Sequence, residues 1–370
     1  MWEYARYLSS AGHEVTYVAA GYAGAPKEES VDGLQVVRFG RIHTLWLRSF
    51  IYYHMRARGR VDLVVAEGFG GSRIPRLAPL YVREPIVTEW HQVYRPLFAA
   101  QYPKVMHGPL NLLEWLTARI HRDTSLRAGT DEVKQDFIRL GFRADKIFVL
   151  PVSIRDEWLN PSDVPSASEF NLVWIGKVRK YKRPDHAIRA LAQVVQRFPR
   201  AQLTIAGRHD DVAYEKRLVD LVRELDLEDH VEFRFNISEE VKRALLLQAR
   251  ALVLPSAVEG FGIVVVEANS CGVPVIASSG VPESVVRDEH TGLRYQSGDV
   301  DALAAAICRL FADEELHRSL SENARSFAQR FGWKSIGARY ASVVEGVVAG
   351  IVAGGEVAVA PPQLEPELPV

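Results

Sequence analysis

Short apolar runs alternate with longer stretches of helical periodicity along most of the chain. In the first half an amphipathic helix over 3–8 ends at Ala11-Gly12-His13. Strands are expected at 14–20, 34–39, 62–67, 85–91, 125–130 and 146–151. Residues 153–169 break the pattern with Pro161, Ser162, Pro165, Ser166 and Ser168, and read as a linker. A second series then begins, with strands at 170–175, 202–206, 231–235, 251–254 and 274–277. Between them one helix opens at Pro184, a first-turn position that proline favours, another ends at Leu225, and a third opens at Ser238. Near-continuous apolar strands separated by helices predict parallel sheets buried on both faces, an α/β fold. The expected layout is a domain at 1–152, the linker at 153–169 and a second domain at 170–330. A closing helix at 331–348 and a disordered tail at 349–370, rich in Ala, Gly, Pro and Glu, complete it.

Composition changes this picture little. A chain of 370 residues exceeds one ordinary core, which agrees with two domains. The net charge of −1 provides no overall field to select nucleic acid or a membrane. Residues 1–150 nevertheless hold 20 Lys and Arg against 15 Asp and Glu. Part of that excess lies in 41–60, where five Arg and two His interleave with Trp46, Phe50, Tyr52 and Tyr53 and no acid occurs. This stretch reads either as an amphipathic helix with a solvated basic face or as a surface that meets anionic lipid or an anionic acceptor. Cys271 and Cys308 both sit in apolar settings, so neither a disulfide nor a thiolate metal site is expected. No signal peptide and no 18-residue apolar span is visible, and a cytoplasmic protein is expected, with peripheral contact at the inner membrane face through 41–60 as an option.

The candidate chemistry centres on 255–268. The apolar strand 251–254 is broken by Pro255-Ser256, Glu259 falls in a loop, and a helix opens near Phe261 or Gly262. The free amides and positive dipole end of that helix suit a phosphate. Glu267 follows inside the helix, so two acids bracket an anion site, as a sugar, diphosphate and ribose would require. A second cluster, Gly176-Lys177-Val178-Arg179-Lys180-Tyr181-Lys182-Arg183, also lies between a strand and a helix, where a sheet edge receives phosphate. His91 closes another strand at its carboxyl edge, beside Glu89 and ahead of Tyr94. Two tempting motifs fail. Gly68-Phe69-Gly70-Gly71-Ser72 has Arg73 where a dinucleotide fingerprint needs its third glycine. Asp299-Val300-Asp301 opens a helix, where acids cap and favour the dipole rather than hold a metal.

Glu259 and Glu267 with seven residues between them, Gly260-Phe261-Gly262 inside that interval and Gly272-Val273-Pro274-Val275 after it, resemble the acidic motif of glycosyltransferase family 4. Ser279-Gly280-Val281-Pro282-Glu283 resembles a further loop of that family. The resemblance covers roughly 3–348 and implies the GT-B fold, two Rossmann-like α/β/α domains with parallel sheets facing across a cleft. It also implies retaining hexosyl transfer from a UDP- or GDP-linked sugar to a glycan or lipid-linked acceptor, with no metal and no other cofactor. Under it Gly176, Lys177, Lys182, Phe261, Gly262, Ile263 and Glu267 bind the donor, while His91 and Glu259 act at the transferred sugar. Lys177 stands where the family has Arg, Pro151-Val152-Ser153 where it has Asn-Gly, and Phe235 where it has Gly. A first strand and glycine-rich turn that precede 3–8 in the family are not seen. A non-catalytic or truncated nucleotide-sugar binder and a sugar-nucleotide epimerase are the rival expectations.

Overall fold

The computed structural model describes residues 1–41, 44–69, 77–159 and 169–350. The chain divides into two compact units. One comprises Met1–Gln92, Leu112–Leu150 and the chain from Lys334, and the other Val93–Asn111 and Pro151–Trp333. Gly70 to Ser72, residues 160–168 of the expected linker and the tail from 351 lie outside the described residues.

The chain runs through α1 (Trp2–Ser10), β1 (Thr16–Ala20), β2 (Glu28–Val31), β3 (Leu34–Phe39) and α2 (Leu45–Tyr52), which widens into a π turn at Tyr53–Ala57. Next come β4 (Val64–Glu67), β5 (Ile86–Glu89), α3 (Arg95–Gln101), α4 (Lys104–His121), β6 (Ser125–Ala128), α5 (Asp131–Leu140) and β7 (Ile147–Val149). The expected strands are present, β3 with the expected bounds and the others shorter, and with β2 they form two sheets, β1-β3-β2 and β4-β5-β6-β7. The second is parallel throughout, whereas β2 pairs antiparallel with β3. Strand β2 was not expected, because Glu28, Glu29 and Ser30 carry no apolar pattern. The turn creates it: Asp32 and Gly33 sit at φ 52° and 80°, the two positive values of a type I′ hairpin. Strand β5 stops at Glu89, leaving His91 two residues beyond it.

The second unit adds α6 (Asp156–Leu159), β8 (Asn171–Lys177), α7 (Pro184–Val194), β9 (Gln202–Arg208), α8 (Val212–Glu224), β10 (Val231–Phe235) and α9 (Glu239–Gln248). It continues with β11 (Ala251–Leu254), α10 (Ile263–Ser270), β12 (Val275–Ser278), β13 (Gly292–Tyr295), α11 (Val300–Ala312) and α12 (Glu314–Ala328). Helix α13 (Trp333–Val348) closes the described chain and, from Lys334, groups with the first unit. Six strands form one parallel sheet in the order β10-β9-β8-β11-β12-β13. Alternate residues feed opposite faces, so Leu172 and Trp174 join one buried cluster while Val173 and Ile175 join the other. Strand β13, also unexpected, is short and interrupted by Arg294. Its Gly292 lies so close to β12 that a Cβ would meet the Val275 carbonyl oxygen at 2.0 Å.

Two domain boundaries need correction. Residues 93–111 group with the second unit although they fall inside the expected first domain. The start of the expected linker belongs to the second unit's core, where Trp158 and Leu159 are buried and Ile154 bridges to Gly332.

Candidate active site

In the second unit the strand order reverses direction between β8 and β11. Chains leaving the two strands diverge there and open a crevice at their carboxyl ends, the usual ligand position in such sheets. The loop after β8 makes a 3₁₀ turn at Lys180–Lys182, and Arg183, in the left-handed region at φ 49°, turns the chain into α7. The loop after β11 is stitched to its neighbours through the backbone. The Ala257 amide donates to the Tyr181 carbonyl at 2.7 Å, and the Glu259 amide donates to the Gly280 carbonyl at 2.9 Å. Ser278 Oγ donates to the Ser256 carbonyl at 2.5 Å. Gly280 allows this closeness, since a Cβ there would lie 2.4 Å from the Ala257 oxygen. Gly262, at φ 80°, then caps α10 in the left-handed region.

The expected donor residues fall around this crevice. Lys182 Nζ lies 2.5 Å from Glu259 Oε1, which also accepts from Ser256 Oγ at 2.7 Å. Both ends of the pair are largely shielded, with 17% and 8% of the side chains exposed. Burial pulls the Lys182 ammonium down, but the Glu259 charge and hydrogen bond outweigh it and hold the pKa above its ordinary value. Lys182, expected at a diphosphate, and Glu259, expected at a sugar, are thus each other's partners. Gly176 and Lys177 end β8 in register with Gly207 and Arg208 of β9, and Lys177 is exposed. Phe261 is buried against Phe331, while Ile263, the first residue of α10, is exposed. The Val265 amide donates to the Gly262 carbonyl at 2.8 Å, so the donors this helix start offers an anion are the amides of its first two residues, Ile263 and Val264.

Glu267 sits one turn into α10 and is buried. Its Oε1 lies 2.8 Å from Lys242 Nζ of α9, and Lys242 also lies 2.8 Å from Glu239. The ammonium stands 5.2 Å from the centre of the Trp158 ring, a cation–π distance. Burial raises the Glu267 pKa, and Lys242 opposes this only in part. Lys242 and Trp158 were missed from sequence. One lies 25 positions before Glu267 and the other in the expected linker, and neither carries a motif.

His91 belongs to the other unit, and the structure assigns it only its own surroundings. It is exposed and follows the buried Trp90. Below it Arg127 Nε donates to Glu89 Oε2 at 2.6 Å and Nη1 donates to the Leu150 carbonyl at 2.8 Å, a buried charge pair that ties β5, β6 and the end of β7 together. Although the residue keeps contact with solvent, the surrounding protein displaces enough of its hydration to lower the His91 pKa below the usual imidazole value, and the Arg127 charge acts in the same direction. Tyr94 lies in the second unit, although the sequence puts it beside His91. Asp299 accepts from the Ala302 amide at 2.9 Å, the capping role its position predicts.

Residues 157–327 match the family described as glycosyl transferases group 1, and residues 1–158 match glycosyltransferase family 4. The chain is 29% identical over 310 residues to a D-inositol 3-phosphate glycosyltransferase of Streptomyces bingchenggensis, covering 79% of this chain and 68% of that one. It is 33% identical over 185 residues to a GDP-mannose-dependent alpha-(1-6)-phosphatidylinositol monomannoside mannosyltransferase of Mycolicibacterium smegmatis, covering 47% of each. In fold it resembles HepE of Anabaena, solved in complex with UDP and glucose, with a TM-score of 0.70, 19% identity and coverage of 90% of this chain and 100% of that one. The chain belongs to glycosyltransferase family 4, with the GT-B fold. It is a hexosyltransferase by class.

Proposed function

We propose that the chain transfers a hexosyl unit, with retention, from a UDP- or GDP-linked sugar to an acceptor hydroxyl in cell-envelope glycan, glycolipid or polysaccharide synthesis. The carrying observation is the crevice at the strand reversal. There the start of α10 lies along the chain between two carboxylates held in different ways, Glu259 by Lys182 and Ser256, Glu267 by Lys242. Lysine has three N–H donors. One on Lys182 meets Glu259, and the others are available to a diphosphate seated on the α10 amides. Lys177, exposed at the end of β8, adds a second positive charge without the bidentate geometry of arginine. Glu267 accepts from ribose hydroxyls and Glu259 from hydroxyls of the transferred sugar. His91 keeps the part given by the family resemblance, orienting sugar or acceptor, and its depressed pKa keeps it neutral at physiological pH.

The anomeric C–O bond breaks as the diphosphate gathers charge, which the lysines and helix amides stabilise without need of a metal ion. The acceptor oxygen bonds to the same face of the anomeric carbon, and the departing phosphate oxygen takes its proton. The proposed location is the cytoplasm, with peripheral contact at the inner membrane face through 41–60 as an option. Among the described residues no helix is long and apolar enough to cross a membrane. Trp46, Leu47, Phe50 and Ile51 of α2 stand exposed beside Arg48, which supports peripheral contact there.

Thermal unfolding with UDP, GDP and their sugar conjugates, with and without EDTA, tests the reading. At a hundred times its dissociation constant the correct nucleotide adds about 2.7 kcal/mol. The shift should survive EDTA and disappear in Lys182→Ala and Glu267→Ala. A shift that depends on a divalent ion, or none with any nucleotide, overturns it.

A further inference from the structure

Glu267 is the inner end of a row of alternating charges drawn from three separate segments. Arg155, ahead of α6, lies 3.8 Å from Glu239 of α9. Lys242, one turn further along α9, lies 2.8 Å from Glu239 and 2.8 Å from Glu267 Oε1. Their spacing puts Glu239 and Lys242 on one face of the helix, and Ser238 caps that turn by accepting from the Val241 amide at 3.3 Å. Exposure falls along the row, from 54% of the Glu239 side chain to 14% of Lys242 and 9% of Glu267. The Trp158 ring closes the apolar side of the Lys242 ammonium, and Arg243 approaches the same ring at 6.0 Å. Two further groups border α10. Cys271 at its end is a neutral thiol, its pKa pushed up to about 11 by burial, and Arg325 of α12 donates to the Cys271 carbonyl at 3.4 Å.

We infer that Lys242 is a positioning residue of the donor site: it holds Glu267 as an oriented carboxylate that accepts from both ribose hydroxyls. This rests on the donor reading, in which Glu267 meets the ribose. A carboxylate has about four acceptor positions and Lys242 takes one, so both hydroxyls can still donate to it. A protonated carboxyl turns one oxygen into a donor and loses that match. Glu239 competes for the same ammonium from the exposed side and weakens its hold on Glu267. Burial is the largest influence on the Glu267 pKa and raises it, Lys242 lowers it, Glu239 raises it and Arg155 lowers it. Ribose recognition is therefore complete above the folded pKa of Glu267 and falls away as pH drops through it.

Titrations of the full chain with UDP and GDP and with their 2′,3′-dideoxy forms, from mild acid to mild alkali, test this. The ratio of the two affinities isolates Glu267, because the ionisation of the diphosphate and its contacts with Lys182 are common to both forms. At neutral pH the dideoxy form should bind about tenfold or more weakly, the effect of losing hydrogen bonds to a charged acceptor. Lys242→Met should move the pH at which this preference appears upward, and Lys242→Arg should keep it near that of the unaltered protein. Glu239→Gln should move it downward. That substitution lies at an exposed position that tolerates change, so it carries the test alone where loss of Lys242 unfolds the chain. A preference lost equally at every pH in Lys242→Met assigns Lys242 to packing on Trp158 and overturns the inference. So does a midpoint that Glu239→Gln leaves in place or raises. Failure of both nucleotides to bind, or equal binding of the ribose and dideoxy forms by the unaltered protein, overturns the donor reading itself and the inference with it.

Discussion

Lys242 determines whether Glu267 can be a buried carboxylate at all. Burial pushes the Glu267 pKa up, and the ammonium 2.8 Å away is the main opposing charge. A group whose folded pKa is raised favours folding below its unfolded value and loses that contribution as pH rises through the folded pKa. Lys242→Met removes the partner and leaves the charge buried, a change that costs about 3–5 kcal/mol where the carboxylate is ionised. The loss should be large at neutral pH and smaller in mild acid, where Glu267 can take up a proton, and Lys242→Met/Glu267→Gln should recover much of it. Urea unfolding at two pH values measures this. An equal loss at both would show that Lys242 acts through packing on Trp158 rather than through charge. The acids were legible from their spacing because both stand on one short stretch of chain. Their pairing with cations was not, because Lys182, itself legible as a donor residue, lies 77 residues from Glu259 and only the closing of the sheet brings them to 2.5 Å.

At the scale of elements, the crevice depends on how closely β8 and β9 can approach. Gly207 sits at φ 137°, and a Cβ on it would lie 1.9 Å from the Gly176 carbonyl oxygen. No side chain fits there unless the end of β8 moves, and that end carries Lys177. Gly207→Ala should destabilise the fold by roughly 3 kcal/mol, since overpacking costs about 1–3 kcal/mol and the positive φ adds strain. It should also weaken nucleotide binding. Denaturant unfolding with nucleotide titration checks both, and wild-type values in both would show that the strands part without cost. Strand existence was readable in the second unit because buried parallel strands are continuous apolar runs, as in Ala251–Leu254. Strands β2 and β13 lacked that run. A hairpin turn at Asp32-Gly33 and a bare-backbone approach at Gly292 make them strands, and neither depends on local hydrophobicity.

At the scale of the whole molecule, two units that each bury their own apolar clusters, around Leu34 and Ile86 in the first and around Trp174 and Val265 in the second, predict separate responses to ligand. The residues proposed to bind the nucleotide all belong to the second unit. UDP or GDP should therefore raise the calorimetric transition of the unit containing Pro151–Trp333 and leave any transition of the other unit in place. A uniform shift of one cooperative transition would show that the units unfold together.

By itself the sequence determined the α/β class, the family and the short stretches that carry the acids, because these follow from local periodicity and close spacing. Only the tertiary structure decided that 93–111 belong with the second unit, that the first unit holds two sheets, and that Lys182 and Lys242 neutralise the two acids. Those outcomes depend on which distant surfaces meet, and a chain read residue by residue carries no distance between them.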